Sequence, residues 1–101
     1  MSRIKLRVLR LDFQPAENLI EENVQAIMRQ IAAGQLPKPI DVRFDGESYF
    51  VRDGFHRVDA ARRCGLLEID ANISSGTLHE MEDEFREMLK KLNAELRKDK
   101  P

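Results

Sequence analysis

The chain has 101 residues, 42% of them hydrophobic and 35% charged, which is the size of one small domain and too short for a two-domain enzyme. Lys and Arg number 17 against 18 Asp and Glu, a formal net charge of −1, so composition does not point to a generally basic, nucleic-acid-coating or membrane-surface protein and any anion site has to be local. A domain this short buries only roughly two-thirds of its unfolded surface, which favours a shallow, loop-built site over a deep enclosed one.

Residues 3 to 8 alternate basic and apolar, predicting a strand with Ile4, Leu6 and Val8 on one face and Arg3, Lys5 and Arg7 on the other. The Val8-Leu9 step breaks the period and predicts a bulge or turn near Leu9. Basic residues there either guard an edge strand against edge-to-edge pairing or touch phosphates. With Arg62 and Arg63 they are the residues available for DNA contact, of a sequence-independent and salt-sensitive kind. The interrupted apolar pattern is not that of a signal peptide, and no stretch approaches the ~20 apolar residues of a membrane span. A soluble, cytoplasmic protein without a membrane partner is expected.

Asn18 and Glu21 have capping-box spacing, and Leu19, Ile20, Val24, Ile27, Met28 and Ile31 trace one face of a helix over 18–33 that Gly34 stops. The acidic start, Glu17, Glu21 and Glu22, and the later Arg29 suit the helix dipole. Pro37 and Pro39 bar regular structure, after which Ile40, Val42 and Phe44 alternate as a strand closed by Asp45-Gly46, a dipeptide favoured in hairpin turns. Tyr49, Phe50 and Val51 form the returning strand. Asp53-Gly54 ends it, and a short helix over 56–64 follows with a Gly65 stop. Ile69, Ala71 and Ile73 predict a strand over 68–73, and Ser74 to Gly76 a loop. Thr77 and Glu80 open a last helix whose seam is Leu78, Met81, Phe85, Met88 and Leu92. The fold class is α+β: a small mixed β-sheet with packed helices over 1–77, then a C-terminal helix and frayed tail over 78–101.

The stretch richest in chemistry is Asp53-Gly54-Phe55-His56-Arg57. A strand that runs through a glycine directly into a helix N-terminus presents unpaired backbone N–H groups and the positive end of the dipole. Gly54 lets a phosphate approach the backbone, Arg57 can give two charge-assisted hydrogen bonds and His56 can donate another. The alternative is a glycine serving the turn alone, with Arg57 paired to Asp53 or Asp59. Cys64, the single cysteine, cannot form an internal disulfide and reads as core, and with His56 and His79 it makes no metal-ligand spacing.

Gly54-Phe55-His56-Arg57 resembles the glycine-x-x-arginine box of the ParB N-terminal domain and sulfiredoxin superfamily. Leu36-Pro37-Lys38-Pro39-Ile40-Asp41-Val42-Arg43 resembles the first nucleotide-contacting motif of that superfamily, and Ala60-Ala61, Gly65-Leu66 and residues 69–73 follow its order and spacing. The resemblance implies a ParB/sulfiredoxin-like fold and a nucleotide, CTP, ATP or ADP with Mg²⁺, held by Pro39, Ile40, Arg43, Gly54, Phe55, His56 and Arg57. Sulfiredoxins carry their reactive cysteine immediately before the histidine; Phe55 stands there, so thiol chemistry is not implied. Partition proteins of the ParB type continue into a helix-turn-helix and a dimerisation domain that this sequence does not reach.

Three functions follow. The leading one is a stand-alone ParB-like nucleotide-binding domain of a DNA-partition or DNA-associated system. Members that transfer phosphate to a small amino acid carry aspartate-glycine-histidine-histidine-arginine in this loop, which Asp53 to Arg57 resembles; Asp53 is then the candidate base or Mg²⁺ holder of a phosphotransferase or hydrolase, with a helix-1 carboxylate. The third is a non-catalytic interaction module, plasmid- or phage-encoded for instance, acting through the last helix. That helix is acidic first and basic later, which suits its dipole and permits antiparallel pairing in a homodimer; packing on the domain's own sheet is the simpler fate of its seam.

Overall fold

Two alternating segments, β3 (Ile40–Phe44) and β4 (Tyr49–Asp53), pair antiparallel and form the middle of the sheet. Ile40, Val42 and Val51 are fully buried, as the period-two pattern requires of a face turned to the core. The computed structural model describes residues 2–14 and 19–98, and the side chains of these except at 93 and 95–98. Around the central hairpin lie β1 (Ser2–Lys5), β2 (Leu9–Arg10) and β5 (Glu68–Ser75), giving a five-stranded sheet of order β1-β5-β3-β4-β2. It is mixed: β3 runs parallel to β5 and β2 parallel to β4, while β1 is antiparallel to β5.

On one face, α2 (Phe55–Arg63) sends Phe55, Val58 and Ala61 into a cluster with Ile4, Leu6, Leu9, Ile69 and Ala71. The first helix, α1 (Glu21–Ala32), lies against α2 and buries Val24 completely. The other side of the sheet offers Phe50, covered by α3 (Leu78–Lys98) through Met81 and Phe85. Phe13 sits between them, its ring 5.6 Å from Phe50 and 5.8 Å from Phe85. The seam of the last helix therefore packs on the domain's own sheet at Met81, Phe85 and Met88, while Leu78 is exposed.

Several boundaries move. The predicted strand over 3–8 stops at Lys5, because Leu6–Val8 form a 3₁₀ turn that carries the chain across from β1 to the opposite sheet edge at β2. Leu6 stays buried and Val8 turns outward, 41% exposed. The first helix begins at Glu21 with Ile20 as its N-cap and no side-chain cap; Glu17 and Asn18 lie outside the described residues. The last sheet strand runs on to Ser75, and Ile73 is exposed, since β1 covers β5 only as far as Ala71. Thr77 does cap α3, its hydroxyl accepting the Glu80 N–H at 3.1 Å. Arg3, Lys5 and Arg7 do belong to an edge strand and the turn that leaves it.

Asp45 ties the β3–β4 turn. Its carboxylate accepts the N–H groups of Ser48 and Glu47 at 2.7 and 2.9 Å, which holds its pKa below the ordinary value. Glu21 is lowered likewise by Arg63 and by the Gln25 amide. For both carboxyls the folded pKa lies below the unfolded one. Their stabilisation is therefore present above the unfolded carboxylate range, about pH 4, and lost as pH falls through the folded values. Thermal midpoints are expected to hold between about pH 7 and 5 and to fall below about 4, with a smaller fall in Asp45→Asn than in the parent. An equal fall in both proteins would remove Asp45 from the account.

Candidate functional site

The site starts from one glycine. β4 ends at Asp53, and Gly54 takes φ +103°, in the left-handed region. A Cβ there would lie 2.5 Å from Ile40 Cγ2 and 2.9 Å from Ile40 Cβ. Both the backbone turn and the fully buried Ile40 beneath it thus demand glycine. α2 begins at the next residue with no side chain capping it, and its first amide bond inside the helix runs from the Val58 N–H to the Gly54 carbonyl, 3.0 Å. The amides of Phe55, His56 and Arg57 precede that bond and have no acceptor within the helix.

The three residues that carry these amides line a cleft of about 400 Å³. Its floor is Asp53 to Arg57, one wall is the α1 stripe Asn23, Ile27 and Gln30, and the other is Pro37 with Lys38. Arg57 is three-quarters buried; its Nη1 donates to the Pro39 carbonyl at 2.7 Å, and its Nη2 lies 3.6 Å from the Asp53 carboxylate. The guanidinium is thereby locked beside the helix start, and the loop leading into β3 is pinned to α2. Asp53 keeps its carboxylate largely in solvent, 75% exposed. His56 accepts the Ile20 N–H on Nε2 at 2.9 Å, which assigns the ring proton to Nδ1. His56 therefore joins α1 to α2, and only Nδ1–H is left for a ligand, a narrower role than the sequence suggested. The Phe55 side chain is buried in the core, 7% exposed.

Arg43 is not brought to this cleft. It lies on the face of β3 opposite Ile40 and Val42, where its guanidinium donates to Ser74 Oγ at 2.5 Å and lies 3.7 Å from Glu84 of α3. Glu84 also pairs with Arg52. The reason is the strand period: one residue on from a core position points to the other helix layer. Pro39 and Ile40 do not line the cleft either; the Pro39 carbonyl accepts from Arg57, and Ile40 packs under Gly54.

The basic set divides. Arg3 pairs with Asp70 at 3.3 Å, and Arg63 pairs with Glu21 at 2.5 Å and Asp59 at 2.9 Å. Lys5, Arg7 and Arg62 line a separate groove. Glu21 is committed to Arg63 and does not line the cleft, so a helix-1 carboxylate acting there is not supported by Glu21. Cys64 is half-buried, its Sγ 4.0 Å from the Met28 carbonyl. Among the described residues no group of three or more His, Cys, Asp or Glu is placed to hold a metal, and no helix is long and apolar enough to cross a membrane. Asn23 and Gln30 also line the cleft, and nothing in the sequence marks them; with Ile27 they recur at helical spacing on α1, a stripe that reads as amphipathic until the cleft it lines is known.

The chain matches the family model of the ParB N-terminal domain over residues 1–88. No curated protein matches it. Sulfiredoxin from Arabidopsis thaliana superposes with a TM-score of 0.70 at 26% identity, over 87% of this chain and 94% of that one. The C-terminally truncated chromosome-partitioning protein ParB from Caulobacter crescentus, complexed with CTP-gamma-S, gives a TM-score of 0.66 at 20% identity over 83% of this chain. The same protein complexed to the centromeric parS site gives 0.63 at 21% over 80%. The match spans 49% and 42% of those two ParB chains, and at such identities the likeness is one of fold.

Proposed function

Because the chain belongs to the ParB N-terminal domain family, we propose that it binds a nucleotide by its phosphates at the start of α2, as a component of a DNA-partition or DNA-associated system. The observation that carries this reading is the uncapped first turn of α2, entered through a glycine with no room for a Cβ and facing a cleft beside Arg57. Backbone N–H groups, the helix dipole and a fixed guanidinium converge there, which is the chemistry that recognises a phosphate. The ParB of similar fold that was solved with CTP-gamma-S supports a nucleotide as the phosphate's carrier. The amide side chains of Asn23 and Gln30 suit the neutral part of such a ligand, since each can both donate and accept hydrogen bonds. A divalent ion accompanying the nucleotide would rely on the phosphate oxygens, because among the described residues Asp53 is the only carboxylate lining the cleft. Calorimetric titration with CTP, ATP and ADP in the presence of Mg²⁺ tests the proposal, and saturable heat with at least one of them is expected. No heat with any of the three at millimolar concentration would overturn it.

The exposed Asp53 carboxylate at the cleft floor favours a second reading, a phosphotransferase or hydrolase in which Asp53 takes the proton of an incoming hydroxyl. Thiol chemistry of the sulfiredoxin kind is not proposed, since Phe55 precedes His56 and Cys64 lies at the far end of α2. If Asp53 is the base, Asp53→Asn should lower turnover of nucleotide by roughly 10²-fold or more while leaving its binding nearly unchanged. Turnover absent in the parent, or equal in the variant, removes the enzymatic reading and leaves the binding one standing.

A further inference from the structure

The charge pairing of the fold leaves three cations gathered in one groove; Arg29, Lys38 and Lys91, which also have no carboxylate within 4 Å among the described residues, do not line it. Arg3, Arg10, Arg43, Arg52, Arg57 and Arg63 each have a carboxylate within 4 Å. Lys5, Arg7 and Arg62 have none among the described residues, and all three line one open groove of about 500 Å³ on the side of the molecule where β1 gives way to the 3₁₀ turn. Arg62 is held there by a hydrogen bond from its Nη2 to the Leu6 carbonyl, 3.2 Å. Among the described residues Glu68 is the one carboxylate in the lining, so the groove is net positive.

The same groove has an apolar ridge. Gly65, at φ +77°, turns the chain between α2 and β5, Leu66 tucks against the core, and Leu67 is left 82% exposed. A tight surface connection has no need of an aliphatic side chain in solvent, and this one separates the basic groove from a second depression of about 370 Å³ that contains Leu36, itself 65% exposed. Beside it, β1 is a sheet edge with no strand on its outer side among the described residues.

We propose that this surface docks an extended acidic segment of another protein, its carboxylates against Lys5, Arg7 and Arg62 and an aliphatic side chain against Leu67. The opposite charge identifies the partner: three cations against one carboxylate, Glu68, which stands across from Lys5 in the β1–β5 ladder, leave the groove net positive and fit carboxylates, while the leucine ridge fits a peptide better than a nucleic-acid backbone, which gains nothing from an aliphatic contact. The free β1 edge suits an added strand, whose alternate side chains would present acid and leucine on opposite sides.

The test is fluorescence anisotropy with a labelled peptide of alternating glutamate and leucine, set against an alternating lysine and leucine peptide and labelled single-stranded and duplex DNA. The acidic peptide should bind. The Lys5→Glu/Arg7→Glu double variant should weaken it by roughly tenfold or more, and Leu67→Ser should weaken it too. All three positions are exposed, and unchanged circular dichroism and nucleotide titration would show that fold and cleft are intact. No binding of the acidic peptide, equal binding of the basic one, indifference to both variants, or tighter binding of DNA with the same dependence on Lys5 and Arg7 would each overturn the proposal.

Discussion

Gly54→Ala is expected to destabilise the protein by roughly 3 kcal/mol and to abolish nucleotide binding. Two costs add. A non-glycine residue in the left-handed region costs about 1–2 kcal/mol, and a Cβ driven to within 2.5 Å of Ile40 forces a shift in a packed core worth about 1–3 kcal/mol. Ile40 cannot yield easily, because it is fully buried in the central strand between β4 and β5. Any adjustment falls instead on the Gly54 turn, which moves the α2 amides away from the cleft. The matched control is Gly46→Ala, at a nearly identical φ of +104° with nothing within 4 Å of the added carbon. It should lose only the conformational part, about 1–2 kcal/mol. Denaturant midpoints of the two variants compare them directly, and equal losses would show that Ile40 does not constrain the turn.

Arg57→Ala should weaken nucleotide binding by about 1.5–3 kcal/mol, a factor of roughly 10 to 150, the worth of hydrogen bonds between ionised partners. A second effect lies in the apo protein: the Pro39 carbonyl loses its donor, and the loop from Pro37 to Pro39 is no longer tied to α2. Arg57→Lys separates the two, because lysine restores the charge without the planar fork that serves the carbonyl and a phosphate together. It should fall between the parent and the alanine variant in titration calorimetry. An affinity unchanged in Arg57→Ala would place the phosphate elsewhere.

What the sequence disclosed was what short-range chemistry decides. The hairpin over residues 40–53 could be read because Ile40, Val42, Phe44 alternate and Asp45-Gly46 supplies the turn, its carboxylate closing on the amides two and three residues ahead. Thr77 was readable as a cap for the same local reason. The Gly54 turn showed as a strand meeting a helix without a linker. What stayed hidden depends on distant partners. Alternation continues from Ile4 through Leu6 to Val8, yet Leu6–Val8 form a 3₁₀ turn because β1 and β2 sit at opposite edges of the sheet. Nothing near Arg43 announces Glu84, forty-one positions later, so its removal from the cleft could not be seen. His56 looked like a phosphate donor until the Ile20 amide occupied its Nε2.

Backbone amide chemical shifts recorded during a Mg²⁺-nucleotide titration test the central claim most directly, since the proposed donors are the amides themselves. The account predicts that the largest movements fall on Phe55, His56 and Arg57, with smaller ones on Asn23 and Gln30 across the cleft. Shifts confined to the Lys5–Arg7 groove, or none at saturating nucleotide, would contradict it.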